Sequence, residues 1–422
     1  MVSLVHAATE QNAVSQQAQE LVVFRAAMEA RMHHELGTPQ DAARLAILKR
    51  ADEIADVLKA QAPADEANGT LTPETVAVLE KAGIFKLKLP AVLGGDEADP
   101  VTQTLVLEAL SNANASAGWC AMVGATGAAL PGAFLADEAI AEMFASGRIP
   151  RCAIVAMPMG KAEIVDGGYR LTGRWPFGSG VRHSEWMTAG AVVTRNDKPE
   201  HLMMAFQTKL AHIHDNWQVA GLKGTGSCDF STDNLFVPAE FTWALLTDQP
   251  KRGGPLYRIG NPGFVANEHA GFALGLARRA LDAFLEKEVA RVRSYAPGAA
   301  SMSTRQSIQR ALGACEIKLR AARDVALDVN SEVWQATKSG ETPTLRQQCE
   351  LRAAATYCTE VALDIVTEVF RYSGGGAIYD KNILQQCLRD LNAAAQHLMV
   401  SEVSYENLGR TLLGATNVNP MG

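Results

Sequence analysis

The sequence predicts an α+β protein of three parts: an N-terminal helical domain over residues 1–148, a central β-barrel or β-sandwich domain over 149–250, and a C-terminal four-helix bundle over 251–422. Three observations carry this. Apolar residues recur at three- and four-residue spacing in the first part and again in the last. Between them the period drops to two. The last part holds four long amphipathic segments, which is the pattern of helices packed at shallow angles around one core.

The elements follow in order. The first twenty or so residues are rich in Gln and Ala with little pattern, and form either a loose arm or an extra helix. Helical spacing runs from Ala43 to Ala60, and Thr72-Pro73-Glu74 marks a helix start. A further apolar run begins at Leu105–Leu110. The stretch Gly118–Ala136 carries no charge and approaches the length of a membrane span. Its Gly and Ala content, Pro131 and scarcity of large aliphatics instead predict a buried helix lining a pocket. In the β part, Tyr169, Leu171, Gly173 and Trp175 alternate with polar or small residues, after an Asp166-Gly167-Gly168 hairpin turn. Glu185–Thr194, Leu202–Gln207 and Asn234–Val237 read as further strands. The bundle helices are Ala270–Val292 and three stripes. These are Ile308 through Val333, Leu351 through Val369, and Leu384, Leu388, Leu391, Ala395 and Leu398.

Composition narrows the class. Hydrophobic residues are 47% and charged residues 20%, as in an ordinary globular protein. A net charge of −7 argues against nucleic acid or a polybasic membrane contact. The seven cysteines are scattered, odd in number and without a C-x-x-C pair. That argues against a disulfide framework or structural zinc, and predicts a reducing, cytoplasmic compartment. No basic stretch followed by an apolar run and cleavage site begins the chain, so no signal peptide is expected. His212 and His214 share a strand face without a third ligand, so no metal site is expected. There is no G-x-G-x-x-G, Walker A or G-x-S-x-G.

Four constellations remain. On the last helix Asp390, Ala393, Ala394 and His397 are three, four and seven apart, so they share one small-residue face. On spacing alone His397 is either a boundary histidine bridging helices or a general acid or base. In the β part a strand runs Gly173-Arg174-Trp175-Pro176-Phe177 into the loop Gly178-Ser179-Gly180. Glycines there let backbone N–H groups approach a ligand and the aromatics could stack on a ring, or the segment is a plain β turn beside core aromatics. Gly374-Gly375-Gly376 lies between two bundle helices, as a C-cap or as bare backbone for a phosphate or another chain. Gly221-Leu222-Lys223-Gly224-Thr225-Gly226-Ser227 is glycine-rich without the strand–loop–helix order of a phosphate loop.

The order of helices, β part and bundle resembles the acyl-CoA dehydrogenase fold over residues 40–415. Trp175–Gly180 falls where that superfamily presses a strand end against the flavin isoalloxazine, and Gly224-Thr225-Gly226-Ser227 resembles a segment late in its β domain. Dehydrogenases of the superfamily carry a glutamate in a Tyr-Glu-Gly-Thr context shortly after an Arg-Asp pair. Here Arg389-Asp390 is followed by Leu-Asn-Ala-Ala-Ala-Gln-His. That pattern, with Ser116-Ala117-Gly118-Trp119 and Trp175–Gly180, is similar to the two-component (group D) flavin-dependent monooxygenases. Their oxygenase component takes reduced flavin from a separate NAD(P)H-flavin reductase.

The resemblance implies an oxygenase that uses FADH2 or FMNH2 and O2, through a C4a-hydroperoxide kept from water, to hydroxylate a small aromatic or heteroaromatic substrate. It implies catalytic roles for His397 and Ser179. It implies flavin contacts from Trp175, Phe177, Gly178, Ser179 and Gly180, and from Arg293, Gly374, Gly375 and Gly376 near a neighbouring subunit's flavin in a homotetramer. Trp119, Cys120, Gly124, Thr126, Ala393 and Ala394 would wall the substrate. The chain departs from phenol hydroxylases at Val123-Gly124-Ala125-Thr126, where a histidine is usual, and at Cys152-Ala153-Ile154-Val155, where serines are usual. Both changes remove groups that would hold a phenolate, which makes an indole as plausible a substrate as a phenol. Two alternatives stand beside this one. An acyl-CoA dehydrogenase-like flavin dehydrogenase or oxidase is disfavoured because neither Asp390 nor Glu402 has the expected context. A non-catalytic binding protein on the same fold is disfavoured by the Gly-Ser-Gly loop and His397.

Overall fold

The N-terminal helices are α1 (Pro39–Asn68), α2 (Pro73–Lys81), α3 (Pro100–Ala113) and α4 (Ala115–Phe134) in the computed structural model, which describes residues 39–245, 247–287, 291 and 301–421, and polar caps set the last three. The expected N-terminal arm and Arg293 lie outside the described residues. The Thr72 hydroxyl accepts from the Thr75 amide (3.2 Å), Asp99 from Thr102 (3.0 Å) and Asn114 from Ala117 (3.2 Å), each satisfying an amide that the first helical turn leaves free. The uncharged helix α4 is buried along most of its length. Among the described residues no helix is long and apolar enough to cross a membrane.

The β part is one seven-stranded mixed sheet, in the order β5-β6-β2-β1-β3-β4-β7. The strands are β1 (Cys152–Val165), β2 (Gly168–Gly178), β3 (Trp186–Arg195), β4 (Lys198–Gln207), β5 (His212–Ile213), β6 (Cys228–Pro238) and β7 (Thr242–Ala244). Gly167, at φ +74°, turns β1 back on β2 as the hairpin signal predicts. The β domain expected between the two helical parts is this one sheet. β1 pairs with β3 in parallel, and register breaks between Val155 and Gly160 and between Trp175 and Gly178 bend the strands around one core.

The bundle comprises α6 (Asn261–Lys287), α7 (Gln306–Lys338), α8 (Leu345–Ser373) and α9 (Ile383–Ala394), followed by a short α10 (Val403–Leu412); a short α5 (Asp137–Met143) precedes the sheet. The predicted stripe of α8 is buried throughout, from Leu351 to Val369. The stripe of α9 ends early. The helix stops at Ala394, and Leu398, which the spacing placed on the buried face, is 64% exposed. The two helical parts share one core. Gly271 and Gly275 let α6 approach α3 so closely that a Cβ would lie 2.3 Å from the Thr104 carbonyl and 2.4 Å from that of Glu108. The buried cluster runs unbroken from Ile47 to Val400, while the sheet keeps its own.

Candidate active site

At the end of β2 the chain tightens. Phe177 takes a left-handed φ of +63°, the Ser179 amide donates to its carbonyl (2.8 Å), and Gly180 follows at φ +74°. A non-glycine residue in that region is uncommon and points to a constrained, functional turn. The turn leaves the Phe177 ring 61% exposed, edge-on to Trp217 at 6.4 Å. Trp175 goes the other way. Its side chain is fully buried, stacks on Phe230 at 5.2 Å and donates to the Gly190 carbonyl (2.7 Å), so its indole offers no face to a cofactor. Alternation along β2 explains this, since positions 175 and 177 share a face only while the strand is regular, and the left-handed turn at Phe177 reverses it.

Ser179 is the meeting point of two elements. Its hydroxyl accepts from the Trp119 indole N–H on α4 (3.1 Å) and bonds the Ser227 hydroxyl (2.7 Å), which in turn bonds that of Thr225 (2.7 Å). The Thr225 hydroxyl ends the chain on the Leu222 carbonyl (2.8 Å). Cys120, one residue on, is buried with its thiol toward the Thr225 carbonyl at 3.7 Å, and burial pushes its pKa up. The loop 221–227, glycine-rich without a readable purpose in sequence, therefore backs the Ser179 turn.

His397 meets the same Trp119. It does not ride on α9 but lies in the turn just after it, where its Nδ1 accepts from the Met399 amide (3.2 Å). That leaves the proton on Nε2. Its ring stands edge-on to Trp119 at 5.8 Å and lies over His269 of α6 at 4.4 Å, tilted 32°. His269 is buried and also edge-on to Trp119, at 5.5 Å. Crowding of the His397 ring lowers its pKa to about 4, with a smaller push from the Arg352 charge. The residue as a whole is exposed, so solvent on its open side limits the size of that shift; the ring packing fixes its direction. Burial, then His397 and Lys88, hold His269 well below the ordinary histidine value.

The turn carrying His397 is held from α8. Arg352, fully buried, donates to the carbonyls of Leu398 (2.7 Å), Met399 (3.2 Å) and Pro420 (3.1 Å). Neither His269 nor Arg352 is signalled in the sequence, where each falls in an ordinary helical stretch.

Asp390 and His397 are not neighbours on one face, as the helical spacing suggested. Asp390 is buried and turned to the β part, accepting from the Leu222 amide at 2.6 Å. Ala394 is buried and Ala393 half-buried, so their part of the small-residue face packs inward. Gly124 packs on Phe85, where a Cβ would lie 2.7 Å from the ring, and so leaves no room for a substrate. The Thr126 hydroxyl accepts from Lys88 (2.9 Å), which is fully buried and also bonds Glu268 (2.8 Å) and the Phe264 carbonyl (2.5 Å). Thr126 is thus part of a buried ion pair. Gly374, Gly375 and Gly376 sit before the first turn of α9, with His397 beyond its last. Twelve residues of helix, about 18 Å, separate them, so within one chain they belong to another place.

The residues present fit a flavin. An exposed aromatic on a left-handed turn with a hydroxyl relay behind it can take the flavin ring, and the two imidazoles beside the Trp119 indole wall the space next to it. No carboxylate touches Trp119, Ser179 or His397 among the described residues.

The fold is shared with known proteins. Residues 42–144 match the acyl-CoA dehydrogenase N-terminal domain and residues 268–402 the acyl-CoA dehydrogenase C-terminal domain. The indole-3-acetate monooxygenase of Pseudomonas putida is 27% identical over 82% of this chain and 87% of its own. The flavin-dependent monooxygenase oxygenase subunit HsaA of Rhodococcus jostii is 25% identical over 83% of this chain and 93% of its own. The structure of XiaF from Streptomyces sp. in complex with FADH2 and glycerol superimposes with a TM-score of 0.82 at 22% identity, covering 90% of this chain and 98% of XiaF. The chain belongs to the acyl-CoA dehydrogenase superfamily, in its flavin-dependent monooxygenase branch, and is an oxidoreductase.

Proposed function

We propose that the chain is the oxygenase component of a two-component monooxygenase. It takes FADH2 or FMNH2 from a separate NAD(P)H-flavin reductase and hydroxylates a small aromatic substrate, indole-like or phenol-like. The observation that carries this is the cluster of Trp119, His269 and His397 against Ser179, with imidazole where a dehydrogenase would need a carboxylate base. Bound reduced flavin supplies the electron pair with which one atom of O2 enters the substrate and the other leaves as water.

The chain's own residues have defined tasks in this. Trp119 and Phe272, edge-on at 5.1 Å, exclude water from the substrate side. Ser179 is fixed by its two partners and presents the loop backbone to the cofactor. His397, unprotonated at neutral pH and proton-bearing at Nε2, holds or passes a proton at that atom. The groups that would grip a phenolate are missing in space as in sequence: Gly124 is filled by Phe85, and Cys152 is a buried thiol with a raised pKa. That favours a substrate whose aromatic ring carries no phenolate, and the indole ring in the name of the Pseudomonas putida relative is of that kind.

Exposed Leu398, Leu412, Leu413, Ile378 and Tyr379 on the bundle support a homotetramer, which would also bring Gly374–Gly376 to a neighbour's flavin. Light scattering reads that state directly. A cytoplasmic setting agrees with seven free, buried cysteines.

The test is rapid mixing of the protein, loaded anaerobically with FADH2, against oxygenated buffer with and without indole. A long-lived absorbance transient and a hydroxylated product are expected. Tight flavin binding with bleaching by an acyl-CoA, and no product from indole or phenol, would overturn the proposal.

A further inference from the structure

His269 sits at the centre of the site, yet the handling of flavin and proton described for Ser179 and His397 leaves it unused. It is only 6% exposed, and among the described residues neither ring nitrogen has a hydrogen-bond partner. Its neighbours are engaged at particular atoms: Trp119 Nε1 donates to Ser179, His397 Nδ1 accepts from Met399, and Lys88 holds Glu268 at Oε2, the Glu268 Oε1 being buried without a partner. A buried imidazole with both nitrogens open, facing the rings of Trp119 and His397, is a group that a ligand can complete. The groups around it settle what kind of ligand. The Lys88 charge acts on His269 and the Arg352 charge on His397, and Lys88 holds the Glu268 carboxylate at Oε2. With both imidazoles neutral, each ring carries one N–H donor and one bare nitrogen acceptor.

We propose that His269 is a substrate-positioning residue that, with His397, brackets the N–H or O–H edge of a planar aromatic substrate, its unpartnered ring nitrogen accepting that hydrogen. The inference rests on the aromatic-hydroxylase function and adds to it the residue that selects the substrate. A site built to take a hydrogen from its ligand discriminates against an analogue of the same shape that lacks one. Indole is therefore held, and benzothiophene, similar in shape and without the N–H, is not.

The experiment is calorimetric titration, under nitrogen, of the FADH2-loaded protein with indole and with benzothiophene. The wild-type protein is expected to bind indole about tenfold more tightly, the value of one good hydrogen bond. His269→Phe keeps the ring and loses the nitrogens. It is expected to weaken indole about tenfold and to leave benzothiophene and FADH2 binding unchanged. His269→Gln, which can still accept, is expected to restore indole to within about threefold of wild type. Equal wild-type affinity for the two probes overturns the proposal, as does an equal loss of indole binding in the Phe and Gln variants, which marks packing alone. The wild-type comparison stands even if a variant does not fold. Failure to bind FADH2 would sink the monooxygenase function itself, an outcome distinct from failure to prefer indole.

Discussion

His397 shows what a single residue can and cannot reveal. Its type and its place after Arg389-Asp390 were legible, because an imidazole is the side chain that titrates near neutral pH. Its surroundings were not. The ring it packs on belongs to His269, on a different helix, and no local spacing announces that pair. The helix that would have placed Asp390 beside it ends at Ala394, where the amides of Gln396 and His397 tighten onto the carbonyls three residues back, Ala393 (3.2 Å) and Ala394 (3.1 Å). Replacement by alanine tests the role directly. His397→Ala removes the proton carrier but neither the Ser179 turn nor its partners. Flavin affinity is expected to stay within about twofold, while product formed per O2 consumed drops roughly tenfold or more, the usual scale for a general acid or base. Unchanged coupling would show that the imidazole is a packing group. The pH response has a fixed sign. With the folded pKa pushed below the ordinary 6.5 by the packing of the ring, the neutral form is favoured in the fold. The stability it contributes by staying neutral is present above pH 6.5 and is lost as pH falls below that value through the lowered folded pKa.

At the scale of elements, the helices were readable and their junctions were not. Stripes of apolar residues identify α7 and α8 because a bundle helix must bury one face whatever it packs against. Contacts between elements depend on single residues with no periodic signature. Lys88, in the short segment after α2, bonds Thr126 of α4 and Glu268 of α6 with no exposure to water. Burial pulls the lysine pKa down and the glutamate pKa up, each opposed by the other's charge. The pair is thus a joint between three segments, and Glu268 immediately precedes His269. Lys88→Met would leave an unpaired carboxylate in the core and is expected to cost about 3–5 kcal/mol of stability in chemical denaturation. Lys88→Met combined with Glu268→Leu removes both charges and is expected to recover most of that loss. If the double variant were no more stable than the single one, the ion pair would not be the reason for the cost.

For the whole molecule, the layout of helices, sheet and bundle followed from the change of period along the chain, whereas the way the parts lock together did not. The lock is the Arg389-Asp390 pair. Arg389 donates to the Ala220 carbonyl (2.6 Å) and to Glu66 of α1 (2.7 Å), and Gly221 lies so close that a Cβ would be 2.0 Å from the Arg389 carbonyl. Asp390 takes the Leu222 amide, whose residue is held at a left-handed φ of +55°. One dipeptide on α9 thereby fixes the loop that backs Ser179 and ties the bundle to both the sheet and the first helix. Burial raises the Asp390 pKa to about 7, against the amide hydrogen bond that lowers it. A folded pKa above the ordinary 3.8 means the protonated form is favoured in the fold. Its contribution is complete below pH 3.8 and is lost as pH rises through 7. Asp390→Asn keeps an oxygen for the Leu222 amide and carries no charge at any pH. Near pH 4 it is expected to match the wild-type thermal midpoint, and by pH 8 to melt higher, its stability exceeding that of wild type by on the order of a few kcal/mol. Parallel melting curves for the two proteins across that range would mean that Asp390 is charged in the fold, with its burial offset by Arg389 and Lys223, whose charges already oppose the shift.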